Sequence, residues 1–193
     1  MPFTQLKTVI QQIYPLGEVE MEAMMQIWEP FSCKRKTILT RAGETEKYLY
    51  FVAEGLQRSF YLADDGSEAT IVFTYAPSFS GLIDSFLTQT PSTCSLETLT
   101  TSKFLRTSWS QVNDLMNRYP PLTSFVLKAT AFAIKGVLER QIEMQCFSAE
   151  KRLRSLLKRS PHVLQLIPHK YLASYLGIDA ATFSKLLGSV RLV

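Results

Sequence analysis

The sequence predicts an α+β chain in which an antiparallel β roll or sandwich is followed by one long helix and a small all-α unit. Three observations predict it: short β-rich runs between residues 37 and 108, a long return of helical period after Tyr119-Pro120-Pro121, and a basic, helix-patterned stretch from Ser148 onward.

Residues 3–14 and 19–28 carry apolar side chains at helical spacing, Phe3, Leu6, Val9, Ile10 and Ile13, then Met21, Met24, Met25 and Trp28. They predict two short helices that pack against a sheet, the second stopped by Pro30. From Thr37 the pattern changes to strands at Thr37–Arg41, Tyr48–Ala53, Leu56–Leu62, Ala69–Tyr75, Thr93–Thr101 and Phe104–Ser108. Glu54-Gly55 and Asp65-Gly66 are hairpin signals between them. Many short strands without intervening helices exclude a parallel sheet. After Trp109 a helix is expected over Ser110–Arg118, then a long one from about Leu122 to Met144, roughly 35 Å at 1.5 Å per residue. Leu122, Val126, Ala129 and Ala133 form one apolar stripe on it, and Ile134, Val137, Leu138 and Ile142 another. Two apolar faces need two partners, so the β unit is expected to cover one and the same helix of a second copy the other, with Val126, Ala133 and Val137 at that dimer seam.

Composition sets the frame. With 193 residues, 46% hydrophobic and 20% charged, the chain has the profile of a globular protein with one large unit and one small. The N-terminus shows no basic region followed by an apolar one, and no uninterrupted apolar stretch long enough for a bilayer is seen, so a cytoplasmic protein with no membrane partner is expected. Cys33, Cys94 and Cys146 lie far apart without metal-ligand spacing and read as reduced. Charge is unevenly placed. Residues 148–193 hold eight Lys or Arg against two acids, +6, while the rest holds 13 against 15, −2. A small basic unit on a larger, nearly neutral one is what a nucleic-acid module produces.

That basic unit also carries a spacing with mechanical meaning. Ser148 is placed to cap a helix over Ala149–Arg159 ended by Ser160-Pro161, and another helix begins at Pro168. Small Ala173 falls where two crossed helices approach most closely, and Gly177 follows at a left-handed turn position. Leu172, Leu176, Ile178, Phe183 and Leu186 are spaced to share a core, and Asp179 to cap a last helix from Ala180. This set predicts a helix-turn-helix whose last helix enters the DNA major groove. Thr182, Ser184 and Lys185 then face base edges or backbone, while His169 and Lys170, at the start of the preceding helix, face phosphate. Arg152, Lys158, Arg159 and Arg191 are expected to add nonspecific attraction.

The order β roll, long helix, then Ser148-Ala149-Glu150-Lys151-Arg152-Leu153 and Ile167-Pro168-His169-Lys170-Tyr171-Leu172-Ala173-Ser174-Tyr175-Leu176-Gly177-Ile178 resembles the cAMP receptor/FNR (Crp/Fnr) family, across essentially the whole chain. The resemblance implies an N-terminal cyclic nucleotide-binding-like jelly roll over 1–118 as sensor, a dimerisation helix over 119–147 and a helix-turn-helix domain over 148–193. It implies a homodimer that reads a two-fold-related site on double-stranded DNA, works with RNA polymerase and answers to a small-molecule effector.

The same resemblance locates departures. Family members that bind a cyclic nucleotide hold it with a Gly-Glu pair and an Arg-Ser pair; here the matching positions are Gly81-Leu82 and Ser92-Thr93. The ribose-binding Glu and the phosphate-neutralising Arg are both replaced, and Val137 and Leu138 stand near where the long helix offers hydroxyls to the base. Weak or no cAMP binding is expected. An N-terminal cysteine cluster for iron–sulfur chemistry is absent, and the two histidines, His162 and His169, both fall in the basic unit, away from any haem site in the roll. At the DNA end Ala180 and Ala181 replace Arg and Glu, Lys185 replaces an Arg, and with Val193 as the last residue a β-hairpin wing is not expected. No nucleophile elbow, HExxH, P-loop or Rossmann pattern is present, so no catalytic residue, metal or cofactor is expected. The competing reading is a small-ligand sensing module with little specific DNA binding.

Overall fold

A computed structural model describes residues 2–189 of the chain. Helices α1 (Pro2–Ile13) and α2 (Glu18–Gln26) lead into β1 (Glu29–Cys33), β2 (Ile38–Thr40), β3 (Tyr48–Glu54), β4 (Leu56–Leu62), β5 (Glu68–Tyr75) and β6 (Ser78–Ser80). A short α3 (Ile83–Thr88) precedes β7 (Ser95–Thr98) and β8 (Ser102–Ser108). Helices α4 (Trp109–Arg118), α5 (Pro120–Cys146), α6 (Ala149–Arg159), α7 (Val163–Leu166), α8 (His169–Leu176) and α9 (Ala180–Ser189) follow. Contacts group the chain up to Ser59 together with Phe73–Ala133 in one compact unit, and Phe60–Val72 with the chain from Ile134 in another.

The strands form two four-stranded sheets, ordered β1-β8-β3-β6 and β2-β7-β4-β5, with antiparallel pairing of β1 to β8, β3 to β8, β3 to β6 and β2 to β7. Alternation along β3 explains why sheets and helices stack. Tyr50 and Val52 join Phe104, Leu96 and Leu82 in a buried cluster, while Phe51 joins Leu105, Leu6, Ile10, Met21 and Met24 in another. Both faces of the sheet are thus covered, one by the roll interior and one by α1 and α2, as the helical spacing near the N-terminus predicts. Leu122 and Phe125 bring the start of α5 into the same helical layer.

Three expectations about this unit are corrected. Pro30 does not stop a helix: α2 ends at Gln26, and Pro30 lies inside β1, paired with Leu105. As β1 is an edge strand, a missing N–H can face away from the ladder. Glu54-Gly55 does not close a hairpin, because β3 and β4 belong to different sheets. Gly55, with φ +100°, carries the chain across, and a Cβ there would run into the backbone of Thr101 and Ser102. The strand expected over Thr93–Thr101 is confined to Ser95–Thr98. Asp65-Gly66 does form the β4–β5 turn: Gly66 has φ +81°, and Ala63 N–H donates to Ser67 O at 2.9 Å.

Helix α5 runs four residues beyond its expected span, and it is long and apolar enough to cross a membrane by length and composition. The sequence reading missed this because Lys128 and Lys135 break the uninterrupted run it required. Residues 131–139 are exposed on every side, among them Phe132, Ile134, Val137 and Leu138.

The second unit is an all-α core of Leu153, Leu156, Leu157, Val163, Ile167, Tyr171, Leu172, Leu176 and Phe183, all buried. It is tied to the end of α5 by charge. Glu143, 5% exposed, accepts from Arg159 and Arg140, and Arg140 also donates to Tyr175 O. Burial works against the Glu143 charge, but the hydrogen bond and charge of Arg159, with Ser155 and Arg140, outweigh it and hold the carboxyl below its usual range.

Candidate functional site

Three local devices build the two-helix motif. Gly177 closes α8 in the left-handed conformation, φ +63° and ψ 42°, with its N–H donating to Ser174 O at 3.0 Å. The chain then turns, and Asp179 caps α9: its Oδ1 accepts from Thr182 N–H at 2.8 Å and its Oδ2 from the Thr182 hydroxyl at 2.6 Å. These bonds hold the Asp179 carboxyl below its usual range. Finally Ala173, 3% exposed, lets the helices close over Leu172, Leu176 and Phe183, each fully buried. Ile178 and Leu186, expected in this core, are half-buried at its margin. A Cβ at Gly177 would also collide with the end of the Met144 side chain. Gly177→Ala is therefore expected to destabilise this unit by about 1–2 kcal/mol, read as a lower midpoint in urea; an unchanged midpoint would mean that the turn relaxes to another conformation.

The expected DNA-facing residues are placed as follows. Lys170 and Lys185 are exposed, at the start of α8 and the middle of α9. The Lys170 ammonium lies 4.7 Å from the centre of the Tyr171 ring. His169 is exposed but sets its ring edge-on to Phe183, centroids 5.3 Å apart, so its position is fixed by packing. Thr182 spends its hydroxyl proton on Asp179 and Ser184 donates to Ala180 O at 3.0 Å, which leaves both oxygens as acceptors. Arg152 and Arg159 do not simply add surface charge. Arg152 Nη1 donates to Met144 O at 3.4 Å, and Arg159 grips Glu143. Arg191 lies outside the described residues.

In the roll, Gly81 has φ +140° between β6 and α3, Leu82 is buried, Ser92 is buried with its hydroxyl accepting Cys94 N–H at 3.1 Å, and Thr93 is exposed. The residue that sequence reasoning missed here is Glu46. It is 1% exposed; its Oε1 accepts from Thr40 Oγ1 at 2.8 Å and Tyr48 N–H at 3.3 Å, and its Oε2 from Leu82 N–H at 3.3 Å. Burial pushes this carboxyl up despite those bonds. A protein carboxyl thus already occupies the donors beside Gly81-Leu82, where the family resemblance puts the nucleotide. It had no sequence signature, since it sits among the polar residues Glu44, Thr45 and Lys47 ahead of β3. Among the described residues no group of three or more His, Cys, Asp or Glu is placed to hold a metal ion.

The described residues thus hold a two-sheet roll, a long helix with an uncovered apolar face and a capped two-helix motif. The family model of the cyclic nucleotide-binding domain matches residues 30–119. The chain is similar to the fumarate and nitrate reduction regulatory protein of Vibrio cholerae, at 26% identity over 191 residues, 91% of this chain and 74% of that protein. Its fold is similar to FixK2 from Bradyrhizobium japonicum (TM-score 0.76, 16% identity, 84% of each chain). It is also similar to a Eubacterium rectale protein assigned to the Crp/Fnr transcriptional regulators (TM-score 0.72, 17% identity, 94% of this chain and 91% of that one). Residues 30–119 thus carry the match to a cyclic nucleotide-binding domain, and the chain is similar over most of its length to regulators of the Crp/Fnr type.

Proposed function

We propose that this chain is a cytoplasmic, dimeric, DNA-binding transcription regulator without catalytic activity. Residues 1–118 serve as sensor roll, 119–147 as dimerisation helix and 148–193 as DNA-binding domain. The observation that carries the reading is the second unit itself: a left-handed turn at Gly177 and a cap at Asp179 fix α9 as a rigid, solvent-facing helix, with Lys170 and Lys185 beside it. Lys185, Thr182 and Ser184 meet the major groove, and His169 and Lys170 the backbone. Val126, Ala133 and Val137 lie at the seam with a second copy, RNA polymerase is the downstream partner, and a small-molecule effector acts on the roll near Gly81, Leu82, Ser92 and Thr93. Weak or no cAMP binding is expected, because Ser92-Thr93 offer a phosphate no cation and the buried Glu46 carboxyl already takes the Leu82 N–H on the ribose side. The reading as a sensor with little specific DNA binding is not favoured: its helix-turn-helix would have no need of so complete a turn and cap.

The test is selection of bound sequences from random duplex DNA at two salt concentrations, with and without cAMP. A two-fold-related enriched motif, unchanged by cAMP, is the expected result. Salt-sensitive binding without enrichment overturns the assignment. On the selected site, Lys185→Ala is expected to cost about 1–3 kcal/mol and relax one base position if Lys185 meets guanine, or to lower the salt slope by about one if it meets phosphate. No loss of affinity would remove Lys185 from the interface.

A further inference from the structure

The tip of the β4–β5 hairpin packs within the same compact unit as α8 and α9. One side chain of α8 meets it twice. The Ser174 hydroxyl, on α8, donates to Glu68 O at 2.9 Å and accepts from Thr70 N–H at 2.9 Å. Strand β5 is the outermost strand of its sheet, and an edge strand presents backbone donors and acceptors that no neighbouring strand takes up. A hydroxyl has one proton to give and lone pairs to receive with. Ser174 therefore satisfies one carbonyl and one amide of that edge, as a residue of an added strand would.

The position of this contact gives it functional weight. Glu68 and Ala69 form one wall of an open cleft of about 410 Å³, and Lys170, Ser174, Asp179 and Ala180 line the other side. Those are the starts of α8 and α9, the surface assigned above to DNA. The hairpin also brings Asp64 and Asp65, two exposed acids with no basic residue among positions 64–68. A duplex approaching the start of α9 meets the tip as an obstacle and its carboxylates as like charge.

We infer that the β4–β5 hairpin is an autoinhibitory latch, held by Ser174 across the DNA-entry edge of α8 and α9, and that tight DNA binding requires its release. The inference rests on the DNA-binding reading. Each neutral hydrogen bond of this kind contributes little by itself, which suits a contact made to open.

Two variants of the full chain test it. Ser174→Ala removes both bonds. Thr70→Pro removes the N–H donor and leaves the Glu68 carbonyl bond to Ser174, at an edge-strand position where a proline N faces away from the ladder. Both are expected to speed amide exchange over the hairpin tip and to tighten binding to the selected DNA site roughly 5-fold or more. Faster exchange with unchanged or weaker DNA binding in both variants overturns the latch while leaving the DNA-binding reading intact. Unchanged exchange in both shows that Ser174 does not hold the hairpin, and overturns it independently of DNA. Absence of an enriched DNA site for wild type and variants alike overturns the DNA-binding reading and the latch with it.

Discussion

Replacing Glu97 with alanine is expected to lower the unfolding free energy of the roll by about 3–5 kcal/mol. Arg58 on β4 and Glu97 on β7 meet at 2.5 Å between Nε and Oε1, with side chains only 2% and 9% exposed. Arg58 is among the largest fully buried side chains of the chain. A guanidinium does not shed its proton to escape such a place. Removing the carboxylate that faces it therefore converts a balanced buried pair into a buried cation that has lost its counter-charge. Replacing both residues, Arg58→Leu with Glu97→Leu, is expected to recover most of the loss, since burying the pair cost desolvation in the first place. Urea unfolding with an unchanged slope reads both effects. A loss under about 1 kcal/mol for Glu97→Ala, the range of a solvent-screened pair, would show that water reaches this part of the roll.

Val137→Glu is expected to weaken self-association at least about 100-fold, seen as a monomer by sedimentation at micromolar protein. Val137 is 58% exposed, as is Leu138, with Ile134 at 55% and Ile142 at 54%. These four residues follow helical spacing, so they make one stripe on α5 that the chain's own core leaves uncovered. A two-fold interface applies a single substitution twice, and each carboxylate must then lose water against an apolar partner helix. Because dimerisation stabilises the folded chain by mass action, the thermal midpoint of the variant should be lower than that of wild type at the same concentration and should no longer rise with protein concentration. An unchanged sedimentation coefficient would remove α5 from the interface.

The helix-turn-helix was the most legible part of the sequence, for a local reason. Gly177 and Asp179 act on backbone atoms within three residues of themselves, so spacing alone announces them. The roll was legible as strands but not as sheets. Glu54-Gly55 has the composition of a hairpin turn, yet only the pairing of β3 with β6 and β8 shows that the chain leaves one sheet there for the other. Pro30 likewise reads as a helix stop until β1 is seen as an edge strand. The candidate sites divide the same way. Lys170 and Lys185 stood out as cations on a predicted motif, whereas Glu46, Arg58 and Glu97 had no sequence signature, because burial arises from strands brought together across the fold.

The sequence by itself determined much of the period and punctuation of this protein: the strands β3, β4, β5 and β8, though not β1 or β6, where α5 runs, where α8 turns into α9, and how basic the C-terminal unit is. Those properties depend on neighbours a few residues apart, where backbone geometry and side-chain alternation act directly. Only the tertiary structure decided that a carboxyl fills the ground beside Gly81-Leu82, that Arg159 is committed to Glu143, and that Ser174 of α8 fastens the β4–β5 hairpin, 106 residues away from Glu68. Each is a contact between distant segments, set by which faces must be buried together.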